Sequence, residues 1–277
     1  GKHICADITL PYGSVLHDYL DENVEQPAEV EGALNRSEIL SSPAMPVIAP
    51  SYKPATSYLD DRQYFIIRYK TEKGLLQKYV PDLFFVNEDD EIVVQWINTK
   101  ATGIGDYSKV DIYVPVSDKY GTLYNFNLMT FLNSSASITF GREIYGIPQK
   151  HASPQFKVHR DTVTGTLDYA HSRVATATMQ YHHTKLPIEQ AIEYLKRSCI
   201  NTKIIPCVDG KTNVIAQLVE TDYNNINVKE AFEGPAALDL MGHVHAPLAD
   251  FPVKEVIGGY SITCDAVMPQ GRVYHDY

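Results

Sequence analysis

What this chain lacks narrows its function first. It carries 24 Lys and Arg against 34 Asp and Glu, a formal net charge of −10, and its cations form no cluster. A polyanion partner needs a basic face, so no nucleic acid is expected and a small molecule becomes the expected partner. Cysteine is scarce. Cys5, Cys199, Cys207 and Cys264 form no C-x-x-C pair, which argues against structural zinc and leaves reduced thiols as the expectation. The first thirty residues contain no apolar run long enough for a secretory signal or a membrane span. No membrane partner is therefore expected, and a cytoplasmic setting is. The P-loop, G-x-G-x-x-G, G-x-S-x-G and H-E-x-x-H patterns are all missing, which removes the commonest phosphate, dinucleotide, acyl-transfer and zinc-peptidase chemistries. His182-His183 and the His243, His245 pair have no carboxylate or thiol at a ligand spacing, so no metal is expected.

What remains is the material of a β-rich globular fold. The 277 residues are 44% apolar and 21% charged, enough to bury a core without staples, and 19 tyrosines join many Val, Ile and Thr. Strand patterns run over 63–70, 91–98, 113–116, 123–131, 136–140, 155–160, 163–169, 173–182, 203–208, 213–220, 226–232, 253–257 and 260–267. Two stretches read as helix. Residues 72–80 form a short candidate stopped by Pro81, and 187–197 places Ile188, Ala191, Ile192 and Leu195 on one face behind Pro187. So many strands with so few helices imply an α+β, mainly antiparallel fold, closed or cone-shaped like a β-barrel, because closure removes exposed edges.

The two ends of the chain resemble each other. Residues 3–19 (HICADITLPYGSVLHDY) align without gaps on 261–277 (SITCDAVMPQGRVYHDY), with eight of seventeen positions identical. The expected organisation has residues 1–20 as the C-terminal strand of a preceding homologous domain, 21–40 as an acidic linker and 41–277 as a second copy of that domain. The linker reading rests on DENVEQPAEVE at 21–31, which has five acidic residues, one proline and no base.

Chemistry concentrates at FGREIYGIPQK, Phe140 to Lys150. This stretch resembles the signature of acetoacetate decarboxylases, in which a Gly-Arg-Glu segment leads through a proline corner to a Lys-Lys pair. GTLDYAHSRVATATMQYHH (165–183) and HAPLADFPVKEV (245–256) extend the resemblance, and weaker similarity runs from about residue 42 to the end. The resemblance implies a decarboxylase-like lyase acting on a small keto acid or polyketide-like compound. In that family the first lysine of the pair forms a Schiff base whose iminium accepts the electrons left by CO2, so no cofactor is needed.

Carried over residue by residue, Gln149 occupies the place of the Schiff-base lysine and Lys150 that of its neighbour. An amide cannot form an imine, so family-type chemistry at position 149 is excluded. Arg62 matches an arginine that acts near the substrate, Gln95 falls where a glutamate is expected, and Tyr145 belongs to the aromatic corner, giving Arg62, Gln95 and Tyr145 as substrate-binding residues. Lys109 stands where the family has a second active-site glutamate. Imine chemistry then rests on Lys109 or on Lys150, although alternation along a strand would turn Lys150 away from a pocket lined by residue 149. Two alternatives stay open: a non-covalent isomerase or cyclase on the same scaffold, and an inactive domain that binds or assembles. The expected macromolecular partner is the homologous first domain or a second copy of the chain.

Overall fold

The structure is a computed structural model that describes residues 32–53, 56–101 and 103–277. The expected strand at 1–20, and most of the acidic linker, lie outside the described residues. Strands β1 (Ser57–Lys70), β2 (Phe84–Val86), β3 (Glu91–Ala101), β4 (Gly105–Asp118), β5 (Leu123–Leu132), β6 (Gln149–His151), β7 (Ser153–His159) and β8 (Thr162–Tyr169) occupy the first part. They are followed by β9 (Ser172–Gln180), β10 (Thr184–Lys185), β11 (Cys199–Pro206), β12 (Asn213–Thr221), β13 (Asn224–Gly234), β14 (Ala236–Leu240), β15 (Glu255–Met268) and β16 (Arg272–Asp276). Among the described residues three short α-helices accompany them: α1 (Arg36–Ser41), α2 (Ser135–Phe140) and α3 (Ile188–Lys196). No helix among the described residues is long and apolar enough to cross a membrane.

The strands form two sheets. The larger runs β10-β13-β15-β1-β3-β4-β5-β11-β12-β16, with β2 added beside β4 and β6 beside β5; the smaller is β14-β9-β8-β7. Neither closes into a barrel, which corrects the expectation of closure. Its premise, that edges must be removed, fails because these edges are blunted instead. One end strand, β10, is two residues long and carries Lys185, and the other, β16, carries Arg272, His275 and Asp276.

Central strands of the large sheet are buried on both faces, which explains runs such as YFII at 64–67. Phe65, Ile67, Tyr69, Val94, Trp96, Val110 and Ile112 pack toward the small sheet's Val163, Leu167, Ala175, Ala177 and Met179. Gly165 is required there: an added Cβ would lie 2.8 Å from the Trp96 ring and 3.0 Å from Phe65. The Trp96 Nε1–H donates to Thr166 O at 3.0 Å, fixing one sheet on the other. On the opposite face Tyr64, Ile66, Val93, Ile97 and Tyr113 meet Ala191 and Leu195 of α3. That helix sits where its apolar spacing predicts it, with Pro187 just before it as N-cap.

Two local expectations fail. Residues 72–80 contain only a 3-10 turn, Gln77–Tyr79, because Gly74 adopts φ +75° and Asp90 accepts its N–H at 2.9 Å, spending the backbone on a turn. Residues 136–140 are helical, not extended. Ser134 caps that segment by accepting from Ser137 N, an N-cap that outweighs the strand preference of Ile138, Thr139 and Phe140. The approach to the proline corner is therefore α2 followed by a wide π-helical turn, Gly141–Tyr145.

Candidate active site

The cavity lies on the α3 side of β4, walled by strand ends and by the segment from α2 to β6. It encloses about 40 Å3, and its lining includes Leu59, Arg62, Tyr107, Lys109, Phe140, Tyr145, Gln149, Cys199 and Tyr223. Three devices aim the polar side chains into it. A bulge in β1 between Leu59 and Arg62, where Asp61 takes φ +46°, turns both Leu59 and Arg62 to the cavity. On β4, alternation sends Lys109, Asp111 and Tyr113 to one face and Val110, Ile112 and Val114 to the apolar core. A second bulge, between the Asp111↔Thr130 and Tyr113↔Asn127 pairings, keeps Thr130 and Asn127 beside that row.

The corner itself is held by Gly146. It adopts φ +69°, and an added Cβ would lie 2.4 Å from Lys203 Cβ, so no other residue fits between the π turn and β11. Strand β6 then runs parallel to β5 with Gln149 beside Thr130 and Lys150 beside Phe131. Gln149 faces inward. Its amide nitrogen donates to Ser137 O at 2.9 Å and Ile138 O at 3.2 Å, tying α2 down over the cavity. Gly141 leaves room for that amide, since a Cβ there would stand 2.2 Å from its nearest atom. Lys150 points the other way, is exposed, and donates to His245 O at 2.8 Å.

The electrostatics centre on Lys109. Its side chain is 7% exposed and its Nζ lies 2.6 Å from Asp111 Oδ2, in a carboxylate only 1% exposed. Burial, the largest single influence, opposes the ammonium charge, but the Asp111 carboxylate together with Tyr223 and Tyr107 outweighs it and holds Lys109 above the ordinary lysine range. Asp111 also accepts from Tyr113 OH at 3.1 Å and from Thr130 Oγ1 at 2.9 Å. Behind Thr130, Asn127 Nδ2 donates to Asn201 Oδ1 at 3.1 Å, and Asn201 Nδ2 donates to Thr221 Oγ1 at 3.2 Å.

Arg62 is fully buried between two rings, with its guanidinium carbon 5.1 Å from the Tyr64 centroid and 4.9 Å from that of Tyr223. Its Nε and Nη2 have no hydrogen-bond partner. Burial pushes the Cys199 thiol up to about 11 and the Tyr145 phenol up to about 12, so neither supplies a nucleophilic anion at neutral pH.

The structure thus gathers Lys109, Gln149, Arg62 and Tyr145 around one cavity and leaves two expected residues outside it. Lys150 is turned away by strand alternation. Gln95 sits one strand over, 3.5 Å from Tyr194 OH, in a smaller space of about 20 Å3 that it shares with Asp111, Asn125 and Arg197. Asp111, Tyr113 and Thr130 were not anticipated. The signal was present in KVDIYVPV at 109–116, where polar side chains alternate with Val110 and Ile112 in a strand otherwise fit for a core. Among the histidines, His182 stacks between Tyr181 and Phe232, and His243 packs edge-on against Tyr169.

The cavity combines a buried amine with a buried guanidinium whose Nε and Nη2 have no partner, and the Asp111 carboxylate stands behind the amine. The family described as acetoacetate decarboxylase (ADC) matches residues 44–277. An acetoacetate decarboxylase of Acidiphilium cryptum is 39% identical over 235 residues, covering 84% of this chain and 95% of its own length. One solved acetoacetate decarboxylase structure superposes with a TM-score of 0.84 at 33% identity, over 88% of this chain and 99% of its own. The crystal structure of the enzyme from Legionella pneumophila gives 0.81 at 33% identity, over 90% and 99%. The chain belongs to the acetoacetate decarboxylase family, and as a member it is an enzyme of the decarboxylase-like lyase class.

Proposed function

We propose that this chain is a keto-acid lyase whose imine-forming amine is Lys109, the residue at position 149 having lost that role. The observation that carries this reading is the placement of Lys109 Nζ, the cavity's amine, on the wall that also bears Arg62 and Gln149. In this reading Arg62 receives the substrate carboxylate through Nε and Nη2, two donors on one edge of the guanidinium that suit a bidentate carboxylate. Gln149 keeps α2 in place and Tyr145 forms part of the apolar wall. Residues 149 and 109 line one cavity, so a carbonyl bound there remains within reach of an amine.

Trapping tests the reading. Acetoacetate or pyruvate with cyanoborohydride should label the peptide containing Lys109 and spare Lys150, whose exposed amine points to His245 O. A label at Lys150 alone, or none, refutes imine formation at Lys109. A second reading draws on the Asp111 contact, which keeps Lys109 as an ammonium: with Arg62 it would stabilise a developing enolate without a covalent bond. Turnover with no trapped adduct supports that version. We also propose that residues 1–20 belong to a preceding copy of this domain, the reading that the end-to-end repeat supports. Association of the chain, compared before and after removal of those residues, tests it.

A further inference from the structure

Lys109 brings with it a carboxylate that receives three donors and is shut off from solvent. Asp111 is 1% exposed and accepts from Lys109 Nζ at 2.6 Å, Thr130 Oγ1 at 2.9 Å and Tyr113 OH at 3.1 Å. The other titratable or charged groups facing Lys109 are Tyr107 and Tyr113 on β4, Arg62 and Tyr64 on β1, Cys199 on β11, Tyr145 on the π turn and Tyr223 between β12 and β13. Burial raises the phenols of Tyr64, Tyr113, Tyr145 and Tyr223 and the thiol of Cys199, so these stay protonated at neutral pH. Arg62 has no removable proton in that range. Asp111 is thus the neighbouring base with its oxygen in contact with Nζ.

We propose that Asp111 is the proton partner of Lys109: it takes the ammonium proton as Nζ attacks the keto carbon, and returns it to the hydroxyl that leaves as water. This rests on the imine reading above. The balance closes. Proton transfer converts the ammonium and carboxylate to amine and carboxylic acid. The amine lone pair forms the C–N bond while the C=O π electrons move to oxygen, and a proton shifts from nitrogen to that oxygen. The Asp111 acid then protonates the hydroxyl, the C–O bond breaks, water departs and the iminium forms opposite a restored carboxylate.

One consequence separates this role from a merely structural one. Charged and neutral forms of the Lys109–Asp111 pair hold the same number of protons, so the share ready to attack does not change with pH while the pair keeps that proton. Without the carboxylate, Lys109 must lose its proton to solvent, and the reactive share rises about tenfold per pH unit below its pKa.

The test measures the rate of cyanoborohydride trapping by acetoacetate on the Lys109 peptide between about pH 6 and pH 9. Wild type should give a level profile. Folded Asp111→Asn should be slower at the acid end and climb with pH, approaching the wild-type rate at the alkaline end. A level D111N profile, whether at the wild-type rate or uniformly reduced, overturns the proposal while leaving the imine reading intact. No adduct in wild type overturns both. Should D111N not fold, Tyr113→Phe serves: it removes one donor from the carboxylate, leaves a better proton acceptor, and should speed trapping on the order of tenfold. An unchanged or slower rate in folded Y113F overturns the proposal equally.

Discussion

Replacing Lys109 with methionine removes the cation from a buried pair and leaves its partner charge behind. At 2.6 Å, with an effective dielectric near 20, the lost attraction is on the order of 6 kcal/mol. The stranded Asp111 carboxylate keeps the Tyr113 and Thr130 hydroxyls, which recover part of that loss, so the expected destabilisation is about 3–5 kcal/mol. For a domain of this size each kcal/mol moves the midpoint by about 2–4 °C, giving a drop of roughly 6–20 °C. The double variant K109M/D111L removes both charges and fills the space with carbon, so it should be more stable than K109M alone. Thermal unfolding followed by circular dichroism on wild type, both single variants and the double completes the cycle. A K109M midpoint within about 2 °C of wild type, or a double variant less stable than K109M, would refute the claim that the pair is mutually dependent.

Gly165→Ala should cost about 1–3 kcal/mol, because the new methyl meets the Trp96 and Phe65 rings with no room to move; since Trp96 is the sole tryptophan, a shift in its emission should accompany the lower midpoint. Gln149→Lys places an amine in the cavity beside a buried guanidinium and should add a second trapped adduct, at position 149; absence of that adduct in folded protein would show that residue 149 is not held within reach of the carbonyl. Asp265 is depressed first by its hydrogen bond to Lys229 and next by that from the Asp61 N–H. A depressed carboxyl contributes stability above its unfolded value, near 3.9, and loses it as pH falls through the folded value. Asp265→Asn should therefore be less stable than wild type at neutral pH and show a shallower loss on acidification, measured as midpoint against pH; parallel curves would count against it.

Much of the scaffold was legible because its cues are local. The helix at Ile188–Lys196 announces itself through Pro187 and a single apolar face, and most strand segments through β-branched and aromatic runs. Failures occurred where one local signal overrode another. The Ser134 cap made 135–140 helical against the preferences of Ile138, Thr139 and Phe140, and two sequence-separated patterns, 253–257 and 260–267, proved to be one strand, Glu255–Met268, despite Gly258 and Gly259. Sheet closure was out of reach because whether an end strand pairs with its opposite depends on accumulated twist and edge length across many strands, neither of which a local pattern encodes. In the candidate site, alternation correctly turned Lys150 away from the space that Gln149 enters. The same alternation puts Lys109, Asp111 and Tyr113 on one face, a pattern left unread in the sequence, and only the folded sheets show that Arg62 shares it.

The sequence alone determined that position 149 cannot form an imine, since an amide nitrogen lacks the basic lone pair such chemistry needs in any fold. It equally determined the family through the corner at 140–150. Only the tertiary structure decided what surrounds each charge. Two bulges place Arg62 and Thr130 on the Lys109 face, register sets Gln95 behind the cavity, and a buried contact gives Lys109 its counter-ion. Residue identity limits which reactions are open to an atom, whereas its charge state depends on burial and on neighbours that only folding brings together.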